Sequence, residues 1–185
     1  MPFDLKPGMR VLEAACCEED WLQRAAEAWP DCQFTGVDVN AQDREGKNWV
    51  TWKGDLRDPE LFEPGTFDAV VSLSAIEHIG LGHYGDPKDP DGDSKAVANI
   101  WTWLKPGGLF YFDVPYDPTG YRVLNTECRI YDDAAVMMRL HMAVDCKFLD
   151  LFDAYSDAKH PGTLIDKPTE QAQRYYYVAM CWRKA

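Results

Sequence analysis

The chain has 185 residues, 46% of them hydrophobic, enough to bury one substantial core, so a single domain spanning 1–185 is expected. A formal net charge of -12 argues against a general phosphate-binding surface, because nucleic-acid affinity rests largely on Lys and Arg; a small or cationic ligand suits it better. The six cysteines show no CxxC spacing, the opening Met1-Pro2-Phe3-Asp4 has no secretory character, and no apolar run reaches membrane-spanning length. The expectation is a cytoplasmic protein with reduced thiols, no membrane partner and no nucleic-acid partner.

Lys6-Pro7-Gly8 is a turn launching a first strand over 10–15, with Glu13 near its end. From 18 to 29, Trp21, Leu22, Ala25, Ala26 and Trp29 recur at helical spacing until Pro30 stops the helix. Strands are expected over 33–39, 49–53 and 67–73, the last rich in Val, and their separation by helix-length segments implies parallel βαβ units. A helix follows Asp93 to about Leu104; Pro106-Gly107-Gly108 ends it, and 109–114 is the next strand. A further helix over 131–142 precedes two strands, 147–155 and 174–182, with no long helix between them, so they should pair antiparallel at the sheet edge. The segments 80–93, 117–128 and 156–173 read as long loops of the kind that bind ligands.

Val11-Leu-Glu-Ala-Ala-Cys-Cys-Glu-Glu-Asp20 with Gly36-Val-Asp-Val39, and Phe67-Asp-Ala-Val-Val-Ser-Leu-Ser-Ala-Ile-Glu-His78 with Leu104-Lys-Pro-Gly-Gly-Leu109, together resemble the two halves of a class I S-adenosylmethionine-dependent methyltransferase. Glu77-His-Ile-Gly-Leu-Gly-His-Tyr-Gly-Asp86, with Arg129-Ile-Tyr-Asp132, is similar to a branch met in bacterial surface-glycan contexts. The resemblance implies an α/β fold: a three-layer α/β/α Rossmann-like sandwich whose mainly parallel seven-stranded sheet has an antiparallel edge strand. It also implies S-adenosylmethionine as cofactor.

Ligands of open parallel sheets sit beyond the carboxyl ends of the strands at the switch point, which is where Glu13, Ala15 and Cys17 should lie. In the family a Gly-rich turn stands here; Ala15, Cys17 and Glu19 replace its glycines. Asp38, ending the second strand, is placed to accept from ribose hydroxyls, with a turn or cap role as the other reading. Asp55 occupies the position that the family turns toward the adenine amino group, and Leu56 and Ser72 complete the candidate cofactor set. Asp68 reads as structural.

A hydroxyl acceptor benefits from a base near neutrality, and His78, after the 67–73 strand, is the first candidate, with His83 second. Glu77 either orients His78 or caps the following helix; Tyr84 and Tyr116 are candidate pocket walls. The acidic stretch 86–93 lacks the EF-hand pattern and is read as a rigid Pro-rich lid with a helix cap at Asp93; no metal is assigned. The expected activity is methyl transfer to a small molecule, as O-methylation of a hydroxyl on a sugar or sugar-containing intermediate. A non-catalytic binding module with a degenerate cofactor turn is the competing reading, and an NAD-dependent sugar enzyme lacks the dinucleotide fingerprint. Acceptor identity and oligomeric state stay open.

Overall fold

The computed structural model describes residues 4–16, 21–140, 146–154 and 176–185. Its sheet is organised about β1 (Arg10–Ala14), which is parallel to β2 (Gln33–Asp38) on one side and to β5 (Phe67–Ser72) on the other. From β1 the chain builds outward through β2 to β4 (Trp49–Lys53), with the two-residue β3 (Arg44–Glu45) antiparallel at that edge. It then returns to β5 and continues to β6 (Leu104–Tyr116), also parallel. β10 (Tyr176–Lys184) inserts antiparallel between β6 and β9 (Cys146–Ala154), giving the order β3-β4-β2-β1-β5-β6-β10-β9. The seven expected strands are present, and β3 adds an eighth.

Alternation along the strands feeds two cores. Val11, Phe34, Ala69 and Val71 pack with Leu22, Ala25 and Ala26 of α1 (Trp21–Ala28), while Leu12, Val37, Val70, Phe110 and Phe112 pack with Val97, Ile100 and Trp103 of α2 (Gly92–Trp103). A fully buried side chain of this kind contributes about 1.5–3 kcal/mol. The crossovers 39–48 and 54–66 carry no helix, contrary to the spacing argument. Pro59 and Pro64 interrupt the second, and Phe62 covers the sheet there instead, edge-on to Phe67 and Trp103.

α2 begins one residue before Asp93, and its N-cap position is Asp91, whose side chain makes no capping bond. The expected cap at Asp93 is therefore corrected: that carboxylate is buried in ion pairs, as described below. The helix stops at Leu104 and β6 starts there, earlier than expected, because Pro106 disfavours helical geometry in the residue before it. The expected loop 117–128 contains β7 (Arg122–Leu124), which pairs with β8 (Cys128–Ile130) around Asn125 and Thr126, both at positive φ. α3 (Asp133–Ala135), capped by Asp132 accepting from the Ala135 N–H, runs into a π-helical turn, Val136–Leu140. The expected start of the first helix, the end of the 131–142 helix and the loop 156–173 lie outside the described residues.

Candidate functional site

A cleft of about 190 Å³ opens at the carboxyl ends of β1, β2, β4 and β5, where the chain's direction of growth reverses. β1 delivers Glu13, Ala15 and Cys16 to it; Glu13 is buried. Ala15 has φ +67, the left-handed conformation that glycine adopts at little cost, and its N–H and that of Cys16 both donate to the Val37 carbonyl, at 2.8 and 3.3 Å. An L-residue held there costs roughly 1–2 kcal/mol. At Ala15 the turn thus has a glycine-like backbone shape without a glycine. Cys17 lies outside the described residues.

Asp38 lines the cleft from the end of β2, one oxygen held at 2.7 Å by the Asn40 N–H. Asp55 also lines it, but its carboxylate is engaged by Arg57: Oδ1 accepts from the backbone N–H and Nε, and Oδ2 from Nη2 at 2.6 Å. The Arg57 hydrogen bond, opposed by burial, holds the Asp55 carboxyl below the usual carboxylate range. Leu56 gives an apolar wall. Ser72 is wholly buried in β5 and is not among the lining residues; Leu73, Ser74 and Ala75 line the cleft in its place. Asp68 faces elsewhere in the fold, accepting from the Arg10 N–H and from Lys105 Nζ, each at 2.8 Å.

At the other end of the cleft a 3-10 turn, Ile76–His78, follows β5. His78 lines the cleft, and its Nδ1 contacts the Glu127 carbonyl. A carbonyl only accepts, so Nδ1 carries the proton and the lone pair of the neutral ring is on Nε2. Burial lowers the His78 pKa, favouring that neutral form. His83, exposed, stacks on His78 with ring centroids 6.0 Å apart, and Tyr84 meets both rings edge-on. Glu77 points inward rather than capping a helix: it is 0% exposed, with Oε1 3.7 Å from His78 Nε2, and burial pushes its carboxyl well above the usual range. Tyr84 lines the cleft as expected, while Tyr116 donates to Asp133 at 2.7 Å.

The wall beyond His78 is pinned at many points. Asn40 Nδ2 donates to the Tyr84 carbonyl at 2.9 Å and Arg57 Nη1 to that of Pro87, while Asp86 accepts from the Gly80 N–H at 2.6 Å. Gly80 itself, at φ +83, sits so close to the Asp89 carbonyl that a Cβ would lie 2.2 Å from it. Arg129, 1% exposed, donates to the carbonyls of Ile79 (2.7 Å), Asp89 and Pro90, with its Nε 3.6 Å from Asp93. Asp93 also binds Arg139 at 2.6 Å and the Tyr131 hydroxyl at 2.9 Å. The acidic stretch therefore spends its carboxylates on its own geometry: Asp89 pairs with Lys95 at 2.7 Å, and Asp93 with the two arginines.

Several participants escaped the sequence reading. Ser74, at φ +46, is fixed by Asp113, which accepts from both its N–H and its hydroxyl at 2.8 Å. Asn40, Arg57 and Cys128 carried no motif, and Arg129 was visible only inside a resemblance without a role.

A family model described as "Caenorhabditis protein of unknown function, DUF268" matches residues 60–179, more than half of the chain. The chain belongs to the DUF268 family. The matched span holds the whole His78 end of this DUF268 chain and the Asp55 to Leu73 side only from residue 60 onward, so the β1 and β2 ends of the cleft lie outside it. Ribosomal RNA large subunit methyltransferase E of Syntrophobacter fumaroxidans is 33% identical over 113 residues; the chain spans 57% of that relative's length. Among solved structures, Burkholderia thailandensis 1,6-didemethyltoxoflavin-N1-methyltransferase, crystallised with S-adenosylhomocysteine, covers 97% of the DUF268 chain and is covered to 72%, at TM-score 0.65 and 18% identity. The [4+2]-cyclase SpnF covers 97% and is covered to 76%, at TM-score 0.72 and 17% identity. The DUF268 chain therefore has the class I methyltransferase fold, a fold that hosts a cyclase as well.

Proposed function

We propose that this chain transfers a methyl group from S-adenosylmethionine to a hydroxyl of a small molecule, a sugar or sugar-containing intermediate in keeping with the glycan setting of the branch it resembles. The observation that carries the reading is the pairing, across one cleft, of carboxylates at the ends of β1 and β2 with a neutral histidine at the far end. The donor set fits a cationic nucleoside ligand: Glu13 for the ammonium, Asp38 for the ribose hydroxyls, and Leu56, Leu73 and Ile79 as apolar surface for the base. Asp55, tied to Arg57, acts as a fixed acceptor at the rim. When bound, the cofactor supplies a methyl group activated by a positive sulfur.

In the protein free of metal, Nε2 of His78 takes the acceptor's proton as the oxygen attacks, while Nδ1–H is held by the Glu127 carbonyl. Tyr84, edge-on to His78, walls the acceptor position, and His83, stacked on His78 just outside the cleft lining, is the second candidate base. Positioning against a walled cleft supplies much of the remaining rate. The relatives named for ribosomal RNA suggest a polynucleotide acceptor, but a net charge of -12 and a cleft lined by Glu13, Asp38, Asp55 and Asp86 oppose a phosphate chain. The working picture is one cytoplasmic domain acting on a small molecule without nucleic-acid or membrane partners; no helix among the described residues is long and apolar enough to cross a membrane.

Calorimetry with S-adenosylmethionine, its demethylated product and NAD tests the cofactor. Binding of the first two and not the third is expected, and Ala15→Leu, with native circular dichroism, should abolish it by filling the cleft. A screen of free and nucleotide sugars for methylated product then tests the acceptor. A folded protein that binds neither methyl-cycle ligand would overturn the reading in favour of a non-catalytic module.

A further inference from the structure

We infer that Glu77, His78 and Cys128 form a binding site for a divalent transition metal of the zinc type. A carboxylate oxygen of Glu77, a ring nitrogen of His78 and Sγ of Cys128 all lie within 4.8 Å of one another, contributed by the turn after β5 and the start of β8. Glu77 and His78 are adjacent and Cys128 stands 50 positions beyond His78, so no short spacing motif joins all three.

The carboxylate is the second observation. Glu77 is 0% exposed, and neither of its oxygens makes a hydrogen bond to another described residue. Buried polar groups are nearly always satisfied, and a carboxylate aimed at a histidine and a thiol is satisfied by a cation between them. The nearby guanidinium does not fill this role: Arg129 turns its nitrogens to the carbonyls of Glu77, Ile79, Asp89 and Pro90 and toward Asp93.

His78 is prepared in the way metal-bound imidazoles are. Its Nδ1–H is committed to a backbone carbonyl, which fixes the tautomer and leaves Nε2 as a ligand 3.7 Å from Glu77 Oε1. Ligand atoms around tetrahedral zinc stand roughly 3.3–3.8 Å apart, given bonds of about 2.0–2.3 Å, so this pair is already at coordinating separation. Cys128 Sγ, which faces the Arg129 carbonyl at 3.5 Å, completes the set within the same 4.8 Å.

One nitrogen, one sulfur and one oxygen select zinc over magnesium or calcium, which take oxygen. Two anionic ligands balance the charge of the ion. Three protein ligands leave a fourth position for water, and His78 places it on the cleft wall, as in catalytic rather than structural zinc sites. The site stands independently of the methyl-transfer reading. Where both hold, Glu77, His78 and Cys128 would hold the ion, which would supply a site for lowering the pKa of a bound water beside the acceptor, and His78 would act as ligand instead of base.

The test is to strip the full chain with a chelator, titrate Zn(II) by calorimetry and Co(II) by absorbance, and compare Cys128→Ser and Glu77→Gln. One metal per chain is expected, with a thiolate-to-cobalt charge-transfer band. Each variant should weaken binding beyond the 10–100-fold that loss of an outer partner costs, and Cys128→Ser should abolish the band. A Cys16→Ser/Cys17→Ser double variant should bind normally. Absence of stoichiometric binding, binding that survives both Cys128→Ser and Glu77→Gln, or binding lost only with the Cys16 and Cys17 pair overturns the site. Should Cys128→Ser fail to fold, the isosteric Glu77→Gln decides alone. Cofactor titration without metal keeps this result separable from that of the proposed reaction.

Discussion

At the β1 and β2 end of the cleft, neighbouring parallel strands in fixed register bring Glu13, Ala15 and Asp38 together. The His78 end is assembled differently, from a 3-10 turn, a pinned loop, a hairpin and α2, all meeting on Arg129 and Asp93. The contrast separates a site specified by secondary structure from one specified by a buried polar knot. Damage should be graded at the first and cooperative at the second.

The sharpest way to break this comparison is Arg129→Ala. It leaves several carbonyls without donors and removes a buried partner of Asp93, so a loss of about 3–5 kcal/mol is expected in chemical denaturation. A loss below about 1 kcal/mol would mean that Arg139 holds the wall by itself. Next, His78→Ala should cut turnover in the metal-free protein by about 100-fold or more while leaving cofactor affinity nearly intact, with His83→Ala as the comparison. If only His83→Ala fails in steady-state assays, the base belongs to the loop.

Asp38→Ala should cost about 1.5–3 kcal/mol of cofactor binding, at least about tenfold in Kd, without a cooperative loss of stability. Unchanged binding of the demethylated cofactor would remove Asp38 from the site. Ala15→Gly relieves a left-handed alanine, offset by the greater freedom of unfolded glycine, so a gain of up to about 1 kcal/mol in stability is expected. A clear loss in thermal melting would show that the methyl group packs usefully. The smallest effect concerns Asp55, whose carboxyl Arg57 holds below the usual range. Its contribution is present above about pH 4 and is lost as pH falls through the lowered value, so melting curves of wild type and Asp55→Asn should converge in acid, over a degree or two.

The legibility of the two ends in sequence follows the same division. The seven strands, the antiparallel pairing of the last two and the placing of Glu13, Ala15 and Asp38 near strand ends rest on hydrophobic period and on chain direction, which neighbouring residues record. The helix-free crossovers were misjudged because spacing measures length and not conformation; Phe62 does the covering that a helix was expected to do. The β7–β8 hairpin was missed because its two left-handed turn positions carry Asn125 and Thr126, without the glycine that marks such turns. Glu77 illustrates a further limit. Its place after β5 was readable, but whether it capped a helix or pointed into the interior depended on Arg129 and Cys128, some 50 residues away.

The bonds from Asn40 to Tyr84 and from Arg57 to Pro87 fasten the wall of the cleft to the ends of the strands on the opposite bank. With Arg129 anchoring its rear, that wall is a bridge with footings on both sides. Among the described residues, that bank of the cleft is accordingly a fixed wall, its distance from the strand ends set by bonds on both sides, so shape discrimination along it requires no movement of the wall itself.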